Sequence, residues 1–371
     1  MIVGIPKEIK NHEYRVGMTP AGVELLARDG HEVFVEENAG IGSGFEDDAY
    51  EAVGASILSS AAEVFERAEM IIKVKEPLDP EFAMLREGQI LFTYLHLAGD
   101  RELTERTLKT GCIGIAYETM EDERGRLPLL TPMSEVAGRL SVQEGAKYLE
   151  RAFGGRGQLL GGVPGTDPAD VLIIGGGIVG RNAAQMAVGM GADVTVMDMN
   201  VGVLRELDLH YRGRLHTLKA NPLNTREAVA GADLVVGAVL LAGAKAPWVV
   251  TRDMLGTMKK GAVLVDVSID QGGCFETSKP TTHADPIFEV DGIVHYCVAN
   301  MPGCVPRTST IALTNATMHY AVDIANKGWA EACKEDAMVR TGLNVCRGEL
   351  TCPPVAETFD MKLVPYDEVL G

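Results

Sequence analysis

The sequence predicts an α/β protein built from two Rossmann-like parallel-sheet domains, the second inserted into the first. Three observations carry that prediction. Short β-branched runs recur, each followed by a Gly/Asp/Asn/Pro loop and a longer helical stretch, which is the pattern of parallel strands joined by helices. The runs fall into two separate series. At 371 residues the chain is long enough for two cores of roughly 150 residues each.

The first series opens with Ile2–Ile5. After a loop containing Arg15, Thr19 and Pro20 supply an N-cap and a first-turn proline, and Gly30 closes the helix they start. Strands are expected at Glu32–Val35, Met70–Val74, Gln89–Tyr94 and Ile113–Tyr117, before the turn residues Gly125–Pro128. A rival glycine cluster, Gly40–Gly44, lies between acidic pairs that would repel phosphate, and reads as a plain turn. The second series comprises Val171–Ile174, Asp193–Met197, Leu234–Val239, Ala262–Val267 and Ile293–Tyr296, with Ile178–Met190 helical. The glycine-dense stretch Gly154–Gly165 reads as a mobile loop. Ser309–Asn326 reads as a helix followed by no further strand series, so it is expected to return to the first domain. The expected division is an outer domain of residues 1–128 and 307–371 around an inserted domain of residues 129–306.

Composition excludes some partners. Thirty-four Lys+Arg against 52 Asp+Glu leave a formal charge of −18, the opposite of the basic footprint that nucleic acid requires. The first residues lack the pattern of a signal peptide. The longest uncharged apolar run, Leu234–Ala244, has eleven residues, too few to span a bilayer. Seven scattered cysteines without a Cys-x-x-Cys spacing suggest reduced core thiols and a cytoplasmic address. None of the eight histidines forms a His-Glu-x-x-His pair, so no metal is expected.

The most informative motif follows the strand Val171–Ile174 directly. Gly175-x-Gly177-x-x-Gly180 allows a tight turn, close approach of a pyrophosphate to the backbone, and close packing of helix on strand. The helix opening at Ile178 and Val179 aims its free N–H groups and positive dipole end at such an anion. Asp198 ends the next strand, 23 residues after Gly175. A carboxylate there accepts hydrogen bonds from a ribose 2′-hydroxyl and repels a 2′-phosphate. The combination predicts NAD rather than NADP.

Ligands of open α/β sheets sit beyond the carboxyl ends of the strands. That rule selects Arg15, Lys75 and His96 in the first domain, and Asp270 and the Asn300-Met301-Pro302-Gly303 segment in the second. Arg15 suits a carboxylate clamp, Lys75 the polarisation of a carbonyl, His96 a proton shuttle, and Asp270 the orientation or deprotonation of water or an amine. Each has a plainer reading: a surface ion pair of Arg15 with Glu13, a solvated strand-end lysine, a core histidine, and an aspartate that caps a turn. Position alone leaves all four as candidates.

Several longer stretches resemble the alanine dehydrogenase family almost from end to end. They include Ile5-Pro6-Lys7-Glu8, Arg15-Val16-Gly17-Met18-Thr19-Pro20, Lys73-Val74-Lys75-Glu76-Pro77, Tyr94-Leu95-His96-Leu97-Ala98, Pro132–Arg139, Gly161–Gly165, the glycine turn, Asp270–Gly273 and Ala299–Gly303. The resemblance implies reversible oxidative deamination of L-alanine to pyruvate and ammonia with NAD, by a homohexamer. It implies that Arg15 and Lys75 bind substrate, that His96 and Asp270 form the acid–base pair, and that a cleft closes between the two domains. It further implies a cofactor lining of Ser134, the glycine turn, Asp198, Val239, Leu240, Val267, Ser268, Ile269, Asp270, Val298, Ala299, Asn300 and Met301. Val203 and Ala220 stand where the family often has a basic residue and a serine, which bears on adenosine contacts alone. The alternatives are an NAD-binding subunit of a proton-translocating transhydrogenase and a non-catalytic NAD-binding protein. The first needs a membrane partner, and the second predicts the loss of a catalytic side chain.

Overall fold

The computed structural model describes residues 1–239 and 247–371. Six strands open the chain: β1 (Ile2–Ile5), β2 (Glu32–Glu36), β3 (Ser56–Leu58), β4 (Met70–Ile72), β5 (Ile90–Thr93) and β6 (Ile113–Ala116). Seven follow: β7 (Asp170–Ile174), β8 (Asp193–Asp198), β9 (His216–Lys219), β10 (Leu234–Gly237), β11 (Val263–Asp266), β12 (Ile287–Val290) and β13 (Ile293–Tyr296). Two close it, β14 (Leu343–Cys346) and β15 (Glu349–Leu350). The chain folds as two compact units, Met1–Met133 with Gly303–Gly371, and Ser134–Pro302.

The first unit holds the sheet β15-β14-β6-β5-β4-β1-β2-β3 and the second holds β12-β13-β11-β10-β7-β8-β9. Counted from its own first strand, the first sheet runs 3-2-1-4-5-6 before its edge additions and the second runs 3-2-1-4-5-7-6; with the edge strand β12 set aside, both have the doubly wound arrangement of dinucleotide-binding folds. Pairing is parallel throughout that set. The additions at one edge are antiparallel: β14 on β6 with β15 beyond it in the first unit, and β12 on β13 in the second. In β4, β5, β6, β10, β11 and β13 every residue is buried, as expected of parallel strands covered by helices on both faces.

Three expectations are corrected. Strand pairing ends at Ile72 rather than at Val74, because the Lys73 side chain and the Val74 amide turn to a buried glutamate. The segment beyond the long helix Pro306–Lys327 does carry strands, β14 and β15, which close the exposed edge of β6. The glycine-dense stretch is a loop, as expected, but one that packs closely. A Cβ at Gly155 would lie 2.2 Å from the Tyr148 carbonyl oxygen and one at Gly161 2.3 Å from that of Met190, so these glycines permit close packing. Backbone bonds from Arg156 to Gly261 and from Ala169 to Leu160, both 2.9 Å, tie the stretch to the sheet. Among the described residues no helix is long and apolar enough to cross a membrane, and the cysteines form no disulfide bond.

Candidate active site

In the first unit the strand order reverses between β1 and β4, and the loops leaving those two strands carry Arg15 and Lys75. Arg15 is only 2% exposed, which rules out the surface ion pair. Its Nε and Nη2 donate to the two carboxylate oxygens of Glu13 at 2.7 and 2.5 Å, and its Nη1 reaches Met133 Sδ at 3.1 Å. Burial opposes the guanidinium charge, but Glu13 overrides it and holds the pKa above the ordinary value. The fork is thereby locked in one orientation.

Lys75 is buried as well, at 8% exposure, so it is not a solvated strand-end charge. Its backbone is held from two sides: Thr93 Oγ1 donates to its carbonyl at 2.9 Å, and its N–H donates to Glu8 at 3.3 Å. Glu8 also accepts from the Val74 N–H at 2.7 Å. The fully buried Lys73 bridges Glu8 and Glu81 at 3.2 and 2.5 Å. This buried Glu–Lys–Glu triad therefore braces the segment that carries Lys75. No sequence signal singled it out, since a chain with 52 acids gives no sign of which ones are buried.

His96 follows β5 in a left-handed conformation, φ 54°. It is solvent-accessible and so is not a core histidine. Its ring stacks on Tyr94 with centroids 5.7 Å apart and an interplanar angle of 14°. Surrounding protein atoms and the positive charges of Lys75, Lys10 and Arg15 push its pKa down, against the opposite pull of Glu76. These influences favour the neutral form of the imidazole. Arg15, Lys75 and His96 thus share one electrostatic neighbourhood at the carboxyl end of this sheet.

The second unit assembles the predicted cofactor residues along the carboxyl ends of β7, β8, β10, β11 and β13. In the glycine turn a Cβ at Gly180 would lie 1.8 Å from the Gly175 carbonyl oxygen, whereas one at Gly177 would meet nothing within 4 Å. Gly180 is thus required for packing, and Gly177 leaves open the space that a backbone-bound pyrophosphate uses. The helix Ile178–Gly189 has no side-chain cap and no acid in its first turn, so its N-terminal N–H groups suit an anion. Asp198 accepts from the Gly176 N–H and the Asn200 N–H, both at 2.7 Å, which fixes its carboxylate beside the turn with acceptor capacity to spare. Val203 packs here too, its Cγ1 2.6 Å from where a Gly176 Cβ would lie. These features fit a dinucleotide.

Ser134 lies four residues before Gly138 on the helix Thr131–Tyr148, and a Cβ on Gly138 would come 2.3 Å from the Val179 carbonyl oxygen. That close approach brings the helix to the glycine turn. Val267, Ser268, Ile269 and Asp270 form a short 3-10 turn after β11, and Ser268 Oγ donates to the Val239 carbonyl at 2.7 Å. Asp270 is exposed and accepts the Asn300 N–H at 3.4 Å, which joins it to the Val298–Met301 segment. Asn300 is left-handed at φ 61°, while Val298 and Met301 are buried. Leu240 lies outside the described residues. Sequence reasoning missed Asp266, a buried carboxylate that accepts from the Ser268 N–H at 3.0 Å, the Cys274 N–H at 2.9 Å and the Ser278 hydroxyl at 2.5 Å. It pins both ends of the loop that carries Asp270.

Family models for alanine dehydrogenase/PNT match this chain twice, the N-terminal domain over residues 4–137 and the C-terminal domain over residues 141–353. The chain belongs to the alanine dehydrogenase family. It is 55% identical over 371 residues to the alanine dehydrogenase of Mycolicibacterium smegmatis, covering all of both chains. It is 54% identical to that of Bacillus subtilis, covering all of this chain and 98% of the relative. A solved L-alanine dehydrogenase superposes with a TM-score of 0.94 at 51% identity, over 97% of this chain and 99% of that one. A transhydrogenase from Sinorhizobium meliloti gives 0.81 at 25% identity, over 95% and 99%. Membership in the alanine dehydrogenase family implies a nicotinamide cofactor.

Proposed function

We propose that this chain catalyses the reversible oxidative deamination of L-alanine to pyruvate and ammonia with NAD. The observation that carries the reading is the gathering of Arg15, Lys75 and a neutral His96 where the strand order of the first sheet reverses. The bound nicotinamide would supply the hydride acceptor, held by the glycine turn, Ser134, Val239, Leu240 and the loops Val267–Asp270 and Val298–Met301. Arg15, aligned by Glu13, binds the substrate carboxylate. Lys75 stabilises negative charge on the substrate oxygen. His96 takes a proton from the water that adds to the imine carbon and gives one to the departing amine, and Asp270 is its partner in proton transfer. Asp198 receives ribose hydroxyls and disfavours a 2′-phosphate, which supports NAD over NADP. Assembly as a cytoplasmic homohexamer follows from the family likeness.

The transhydrogenase reading is weaker because the identity is half as high, 25% against 51%. A non-catalytic role is weaker because no proposed catalytic side chain is missing. The test is direct: purified protein with L-alanine and NAD at alkaline pH is expected to produce NADH, followed by its absorbance. NAD binding with no turnover would overturn the proposal.

A further inference from the structure

The proposed proton shuttle sits in a backbone conformation that needs outside support. His96 has φ 54°, a left-handed region that a residue with a Cβ enters only at a steric cost. The turn lies beyond the last paired residue of β5, so its N–H groups have left the sheet ladder. Both are met by one side chain. Glu118, just past the end of the neighbouring strand β6, accepts the His96 N–H at 2.6 Å and the Leu95 N–H at 3.1 and 3.2 Å. On the far side of the turn, Thr104 Oγ1 donates to the Leu97 carbonyl at 2.9 Å. The imidazole is steered by its stack on Tyr94, and the Tyr94 hydroxyl is anchored on the Leu129 carbonyl at 2.7 Å.

We propose that Glu118 is a positioning residue for His96: its ionised carboxylate fixes the left-handed turn that presents the imidazole, and protonation of that carboxylate releases the turn. The inference rests on the catalytic reading of His96. A carboxylate accepts backbone N–H bonds far better charged than neutral. Burial pushes the Glu118 pKa up to about 7, with Glu76 adding to the rise, while the backbone N–H groups of His96 and Leu95 pull it down. The other ionisable groups acting with it, Tyr94, Tyr117 and Cys352, all stay neutral there because burial raises their pKa values well above it. His96 itself is depressed far below. Glu118 is therefore the group of this cluster that changes charge near neutrality. As pH falls through about 7 it gains a proton, the anionic acceptor is lost, and turnover declines.

The test compares Glu118→Gln and Glu118→Ala with the unaltered enzyme. Glu118→Gln keeps the shape and loses the charge, so kcat for pyruvate reduction is expected to fall about tenfold, and Glu118→Ala further, the effect of losing a charge-assisted bond. The acid limb of the kcat–pH profile near 7 is expected to vanish in both, and NADH affinity to stay within about twofold. Labelled-histidine NMR of the protein without cofactor, with the His96 signal assigned by its absence in His96→Gln, is expected to show that resonance moving near pH 7 only when Glu118 is present. An unchanged acid limb in Glu118→Gln, or a His96 signal that ignores position 118, would overturn the inference. Turnover surviving in His96→Gln would instead overturn the catalytic reading itself.

Discussion

The two units of this chain share one strand order, yet the loop leaving the first strand differs between them in every chemical respect. After β7 the chain turns at once on glycines and enters a helix, and the backbone itself is the binding surface. After β1 it runs through Glu8, Glu13 and Arg15 before its helix begins at Pro20, and the proposed binding surface is made of side chains. A pyrophosphate is large and diffuse and is met by free N–H groups. A small carboxylate needs a rigid fork, and a rigid fork inside a protein needs its own counter-charge. Glu13 on Arg15 and Glu8 with Glu81 around Lys73 provide that. On the proposed reading one topology would serve two ligand classes, with the loop at the reversal point deciding which.

Perturbing each loop sharpens the contrast. The largest effect is expected at His96→Ala, which should cut kcat by about a thousandfold, the scale of general acid–base loss, with NADH affinity within about twofold by fluorescence titration. Retained turnover would break the assignment of chemistry to the first unit. Glu13→Gln comes next. It leaves the Arg15 guanidinium buried without its anion, at a cost of roughly 3 kcal/mol, read as a drop in thermal midpoint together with a raised KM for pyruvate. Gly177→Ala is smaller and more selective: its methyl enters open space, so the thermal midpoint should hold while NADH binding weakens about tenfold. Gly180→Ala should do the reverse of that pattern and destabilise the fold, because its methyl collides with the Gly175 carbonyl. Equal behaviour of the two variants would contradict the distinction between a packing glycine and a ligand glycine.

Much of this was legible in the sequence, for a physical reason. Buried parallel strands are continuous aliphatic runs, so β1, β2, β4 to β8, β10, β11 and β13 announce themselves, and the strand-end rule then reaches Arg15, Lys75, His96 and Asp270. The strands that went unread are short and peripheral. β3 has three residues, β15 has two, and β9 reads His-Thr-Leu-Lys with polar ends. β14 carries Asn344 in its middle, and that polar side chain is satisfied by Thr119 and by the Gly342 carbonyl. Such strands exist because a neighbour offers an edge, and no local pattern encodes a neighbour. The supporting carboxylates Glu8, Glu118 and Asp266 were hidden likewise, and of the Arg15–Glu13 pair only the burial was, since burial and most partnerships are properties of the folded chain.

The division of the first unit between residues 1–133 and 303–371 sets an order of assembly on the ribosome. When the nascent chain has emerged as far as residue 302, all seven strands of the inserted unit are present, whereas β6 still presents a bare edge. That edge is covered only when β14, Leu343–Cys346, has been made. Until then the first unit carries an unpaired strand edge, the kind of feature that recruits wrong partners. β14 is the latch that finishes a sheet whose other main strands were made long before it.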